Sequence, residues 1–192
     1  MNMRSILAAA AVFLFGTVAG HAATLSSSGA TGVNVDGTLY DVVFVDGTCV
    51  SLFSGCDDAS DFTFTTEAAA TAASNALLAL FNAPGNEAFT TNPASTAGCA
   101  TGSLSCLIIT PYAPIEADLV ASTGFVNLFD SLTDELSFQN IRNNFDTTTR
   151  ADLTYAVWTP STSPIPVPAS LPLLAAGLAG LGYMARRKRK VN

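Results

Sequence analysis

The chain has 192 residues, 49% hydrophobic and only 12% charged. Eight basic residues face fifteen acidic ones, and six of the eight (Arg4 and the run 186–190) lie at the two ends. The stretch between them holds Arg142 and Arg150 against all fifteen acids, a net charge of −13, which repels phosphate backbones and excludes nucleic acid as a partner.

In chain order, Met1–Ser5 carries one positive charge and Ile6–Val18 is apolar, with small residues at Gly20 and Ala22. This is the pattern of a signal peptide over 1–22, cleaved between Ala22 and Ala23, which implies a secretion translocon and a signal peptidase as partners. Residues 23–160 then form an exported acidic domain long enough for a core of its own. Thr24–Thr31 is rich in Ser, Thr and Gly and is expected to fray. Leu39–Val45 is β-branched and aromatic, Asp46-Gly47 is a turn signal, and Cys49–Phe53 is expected to return as the second strand of a hairpin. Phe62–Thr65 alternates apolar and polar residues.

The period then changes. Ala69, Ala73, Ala76, Leu77, Leu80 and Phe81 fall on one helical face, which predicts a helix over Glu67–Phe81 with Thr66 as N-cap. Asn82–Asn86, containing Pro84 and Gly85, stops it. Thr90–Gly102 reads as loop, and Leu104–Tyr112 as a strand ended by Pro111 and Pro114. Asp118–Phe129 fits a strand or a helix. Leu136–Phe145 and Leu153–Trp158 read as late strands, and 161–164 as a short polar linker. One Ala-rich helix among several strands predicts an α+β domain with an antiparallel sheet; the alternative is a β-sandwich with one helix.

Cys49 and Cys56 are seven positions apart, as are Cys99 and Cys106. In an exported chain an even cysteine count predicts disulfides. Four cysteines allow three connectivities, and the local pairs Cys49–Cys56 and Cys99–Cys106 are expected. A four-cysteine zinc site would use shorter spacings.

Chemistry is bounded by what the chain lacks. Its one histidine, His21, leaves with the signal peptide, and no lysine precedes Lys188. Ser-His-Asp, Cys-His and Ser-Lys sites are therefore closed to the exported domain, as are histidine-based metal centres. Carboxylates remain. Asp57, Asp58 and Asp61 are the candidate calcium ligands, although no Asp-x-Asp-x-Asp-Gly loop surrounds them. With Asp134-Glu135 they are also the candidates for glycosidase-type chemistry, which needs two carboxylates flanking a sugar.

The C-terminus carries the most specific pattern. Val167–Ala185 is 19 residues without a charge, followed by Arg186-Arg187-Lys188-Arg189-Lys190. Starting from Ser170 as N-cap, the regular stretch is Leu171–Ala185, about 22 Å of transmembrane helix with the basic cluster as a cytoplasmic stop. The motif Ile165-Pro166-Val167-Pro168-Ala169, the glycine series Gly177/Gly180/Gly182 and the basic end resemble the VPLPA type of PEP-CTERM sorting signal. That resemblance covers 165–192. It implies an exosortase-type membrane protease as partner, with Ile165–Ala169 as the recognition element. It also implies a cell-surface or extracellular destination after anchoring in the inner membrane, and a link with exopolysaccharide or biofilm matrix. The expected function is that of a non-enzymatic exported protein without a cofactor. The alternatives are a calcium- or glycan-binding module and a carboxylate-based glycan hydrolase.

Overall fold

The computed structural model describes residues 22–129 and 134–162. The signal segment up to His21 lies outside them. So do the sorting motif Ile165–Ala169, the apolar stretch behind it and the basic stop Arg186–Lys190. Among the described residues no helix is long and apolar enough to cross a membrane.

The chain opens with three short-looped antiparallel strands, β1 (Thr24–Ser26), β2 (Gly29–Val35) and β3 (Thr38–Val45). The expectation of a fraying N-terminus is thus overturned. The reason lies at Asp36-Gly37, where both residues have positive φ (49° and 91°). This is the two-residue turn whose twist matches paired strands, and Asp-Gly is one of its favoured sequences. It folds β2 back on β3 and leaves Ala30, Val33 and Val35 buried.

After Asp46-Gly47 the chain does not return as a strand. Cys49–Leu52 is a single helical turn, α1, capped by Thr48, whose hydroxyl accepts from the Ser51 N–H. Cys49 and Phe53 are both buried, and their spacing of four is helical rather than alternating. Phe62 and Phe64 do alternate into the interior, but they belong to no ladder. The long helix α2 spans Glu67–Phe81 with Thr66 accepting from the Ala69 N–H, as the sequence predicts. It buries Ala70, Ala73, Ser74, Leu77 and Phe81, a stripe turned slightly from the expected one. One further turn of helix, α3 (Glu87–Thr90), runs up to the start of the expected loop, and a 3-10 turn at Pro93–Ser95 lies within it.

The second half is a meander: β4 (Ser105–Glu116), β5 (Leu119–Leu128) and β6 (Glu135–Arg142). Asp118–Phe129 therefore resolves as a strand. β4 runs past both prolines that were expected to end it. β7 (Leu153–Pro160) accompanies β4 only over Leu107–Ile109, so Pro111 and Pro114 sit where one side of β4 lacks that partner. Register shifts at Pro111/Ala113 and Pro114/Glu116 absorb them.

The strand order is β1-β2-β3-β7-β4-β5-β6. β7 enters the middle, antiparallel to β3 and parallel to β4, so the sheet is mixed rather than purely antiparallel. The architecture is one seven-stranded sheet with few helices, an α+β arrangement.

Alternation along β7 divides the core between the two faces. Ala156 and Trp158 join Phe44, Phe81, Phe125 and the α2 stripe on one face. Trp158 stacks against Phe64 with centroids 5.4 Å apart and donates from Nε1 to Thr110 Oγ1 at 3.0 Å. Leu153 and Tyr155 join Ile109, Val120, Phe53 and Phe62 on the other.

The cysteines form the two expected local disulfides, Cys49–Cys56 and Cys99–Cys106. Cys99 and Cys106 belong to the cluster under α2, while Cys49 and Cys56 belong to the opposite one, so each core has one bridge. Both bridges fit an oxidising compartment.

Candidate functional site

The acidic cluster singled out in the sequence is already engaged with its own backbone. Asp58 caps the 3-10 turn Ala59–Asp61, accepting from the Ser60 N–H and hydroxyl, both at 2.8 Å. Those bonds hold its carboxyl below the usual carboxylate range, the Ser60 N–H most of all. Asp61 Oδ2 accepts from the Asp57 and Asp58 N–H groups at 3.1 and 3.2 Å. This is a reciprocal capping box, in which one oxygen of Asp58 and one of Asp61 hold the turn itself. Among the described residues no group of three or more acidic, Cys or His side chains is placed to hold a metal.

Asp134, at the start of β6, is on a different element from the Asp57–Asp61 turn. Its Oδ1 accepts from the Leu128 N–H at 2.8 Å, and burial raises its pKa against the opposing effect of that bond. Ala22, before the predicted cleavage point, is exposed, and Ala23 leads directly into β1.

A concave site lies elsewhere, on the face opposite α2. Leu107 on β4 stands in register with Leu153 on β7 and Val126 on β5, and these three side chains share one face. Ser122↔Gln139 and Val120↔Ile141 extend that face onto β6. The connection from β6 to β7 then folds over its end and brings Phe145 and Arg150 to the rim. Leu107, Val126, Leu153, Gln139, Ile141, Phe145 and Arg150 are among the residues that line a groove of about 540 Å³ here.

The rim is held in place. Thr147 is fully buried; its hydroxyl donates to Asp46 Oδ1 at 3.0 Å and accepts from the Gly47 N–H at 3.0 Å. The Thr147 N–H in turn donates to the Gly47 carbonyl, and the Arg150 N–H to the Thr147 carbonyl. Further along, the Asp152 carbonyl accepts from the Leu107 N–H at 2.8 Å. The segment bearing the groove's polar groups is thereby tied to β4 and to the turn after β3.

Arg150 and Asp152 form a two-pronged ion pair, Nε to Oδ1 and Nη2 to Oδ2, both 3.0 Å. The guanidinium holds the Asp152 carboxyl below its ordinary range, and the carboxylate raises the arginine. Exposed pairs contribute little stability. The fork geometry instead fixes the planar guanidinium so that its remaining N–H donors keep one orientation. Among the described residues Asp152 is the one carboxylate lining the groove. Gln139 adds an amide, Phe145 a half-buried ring, and Leu107, Val126 and Leu153 an apolar floor.

Sequence reasoning did not find this groove, yet one signal pointed to it. Arg142 and Arg150 are the only cations of the −13 region, and both belong to its lining. Arg142 is itself paired with Asp118 across the sheet end.

No protein-family model matches the chain, and neither characterised proteins nor solved structures give a match to it.

Proposed function

We propose that this chain is an exported envelope or extracellular protein, released by signal peptidase after Ala22 and sorted through its PEP-CTERM-like tail by an exosortase-type protease. In this reading its domain is a non-catalytic module that holds extracellular polysaccharide in the groove over β4–β7. The observation that carries the reading is the lining: a fixed Arg150–Asp152 pair and the Gln139 amide above an apolar floor. Vicinal sugar hydroxyls both donate and accept, which suits a carboxylate–guanidinium pair and an amide side by side. The apolar face of a pyranose ring suits the Phe145 ring. A neutral glycan fits better than a polyanion, because the surrounding region carries −13.

One feature supports a binding rather than a hydrolytic role. Glycoside hydrolysis uses two carboxylates across one bond, whereas among the described residues this groove has Asp152 alone, and it is paired with Arg150. A calcium module draws no support from Asp57, Asp58 and Asp61, since Asp58 and Asp61 serve as caps.

Co-sedimentation of the secreted protein with insoluble neutral polysaccharides tests the reading. Arg150→Ala and Phe145→Ala should each weaken retention about ten-fold or more, the loss of about 1.4 kcal/mol expected of a charged hydrogen bond or a stacked ring. Absent retention, or retention unchanged in both variants, would refute the glycan assignment.

A further inference from the structure

The two ends of the sheet are unequal. β1 is three residues long, a short edge of the kind that discourages further pairing. β6 is eight residues long and pairs with β5 in unbroken register, from Leu119↔Arg142 to Val126↔Glu135. Its outer side has no strand partner among the described residues. Soluble proteins guard such edges with lysine, proline or a bulge; Glu135-Leu136-Ser137-Phe138-Gln139-Asn140-Ile141-Arg142 has none of these. It carries instead an aromatic ring at its middle, and Phe138 is 58% exposed.

From this edge we infer that two copies of the chain associate through β6, antiparallel, to continue one sheet across a two-fold axis. The strand's own sequence selects the second copy as occupant. The strand begins acidic, at Glu135, and ends basic, at Arg142, whose guanidinium also holds Asp118. Antiparallel apposition of two copies sets each basic end beside the other's acidic start, whereas parallel apposition sets like against like. Register follows from parity. A two-fold normal to the sheet keeps each side chain on its own face, and facing residues must share a face, so the axis passes through a residue and not between two.

Of the two central residues, Gln139 faces the groove and is half-buried, while Phe138 is exposed on the other face. The axis therefore runs at Phe138, pairing Phe138 with Phe138, Ser137 with Gln139, Leu136 with Asn140 and Glu135 with Ile141. An aromatic cross-strand pair is among the more stabilising sheet contacts. The same axis leaves both grooves open on one side of the joined sheet, so a repetitive polymer could engage two sites at once. The dimer does not rest on the polysaccharide reading and is measured without any glycan.

Sedimentation of the secreted protein from micromolar to millimolar concentration, at physiological salt to screen the charge of each copy, should give a mass that doubles. Phe138→Lys should stay monomeric, and at a dilution where both proteins are monomers its denaturation midpoint should be unchanged, because the side chain it replaces is exposed in the single chain. The register has its own readout: Phe138→Cys should oxidise to a covalent dimer, whereas Asn140→Cys should not, its two sulfurs lying about four residues, roughly 13 Å, apart along the strand. A protein that is monomeric throughout, a dimer that survives Phe138→Lys, or equal cross-linking through position 140 would each overturn the proposal.

Discussion

Gly98 and Gly102 share a backbone conformation, φ +90°, and differ in surroundings. A Cβ at Gly98 would lie 2.4 Å from Thr154 Oγ1 and 2.5 Å from Asp46 Oδ1; at Gly102 it would meet nothing within 4 Å. Thr154 is fully buried on the central strand, and Asp46 is held by Thr147, so neither can yield freely. Both alanine variants carry the left-handed cost of about 1–2 kcal/mol, and Gly98→Ala adds an overpacking cost of about 1–3 kcal/mol. Urea denaturation should therefore place Gly98→Ala lower in stability than Gly102→Ala by that second amount. Equal losses would mean that the loop moves aside, and that the Gly98 contact does not anchor the rim on which Arg150 stands. The contact also marks a limit of sequence reading: the two glycines look alike in the chain, and only the arrival of Thr154 and Asp46 from distant strands distinguishes them.

At the scale of elements, what could be read was what is decided locally. The period and the Thr66 cap define α2 within its own fifteen residues. β3 and β7 are dense in β-branched and aromatic residues, and the prediction of both follows. The misreadings occur where a neighbour decides. α1 replaces a strand because the chain must turn back to close Cys49–Cys56 and because Thr48 supplies a cap. β4 passes Pro111 and Pro114 because β7 leaves its side free there. β2 was legible through Asp36-Gly37, and the Ser/Thr/Gly composition around it obscured that signal.

The two disulfides allow the local and global contributions to be separated. Each closes a loop of equal length, a cysteine separation of 7, and the chain-entropy estimate gives about 2.5 kcal/mol for either. They lie in separate core clusters, so their removal should be additive. Replacing either pair by alanine, which suits buried sites without adding a hydroxyl, should lower the unfolding free energy by about 2.5 kcal/mol, and replacing both by about 5 kcal/mol. A domain of ordinary stability would be left marginal. A double loss well above the sum would show that the sheet transmits strain between its faces.

For the whole molecule the decisive element is β7. It is the last strand among the described residues and takes the central place, joining β1–β3 to β4–β6. Its pairing with β3 matches Val45 with Tyr155 and Tyr40 with Pro160, contacts far apart in the chain that form slowly. The sheet is therefore complete only once residues up to 160 have emerged, and the Ser161 N–H still donates to the Leu39 carbonyl at 2.9 Å. The sorting motif Ile165–Ala169 begins four residues beyond. If the tail is removed at this motif as proposed, removal after domain closure would release a finished sheet. The prolines make this order testable. Pro166 and Pro168, which lack N–H donors and restrict φ, are the residues on which the proposed recognition rests. The double variant Pro166→Ala, Pro168→Ala should fold its domain normally, with both disulfides formed. It should keep the basic tail in its intact mass and remain in the membrane fraction, while the unaltered protein loses the tail. Release of the variant at the normal mass would show that the motif is not the recognition element. Loss of the disulfides along with processing would show instead that domain closure and tail removal are one event.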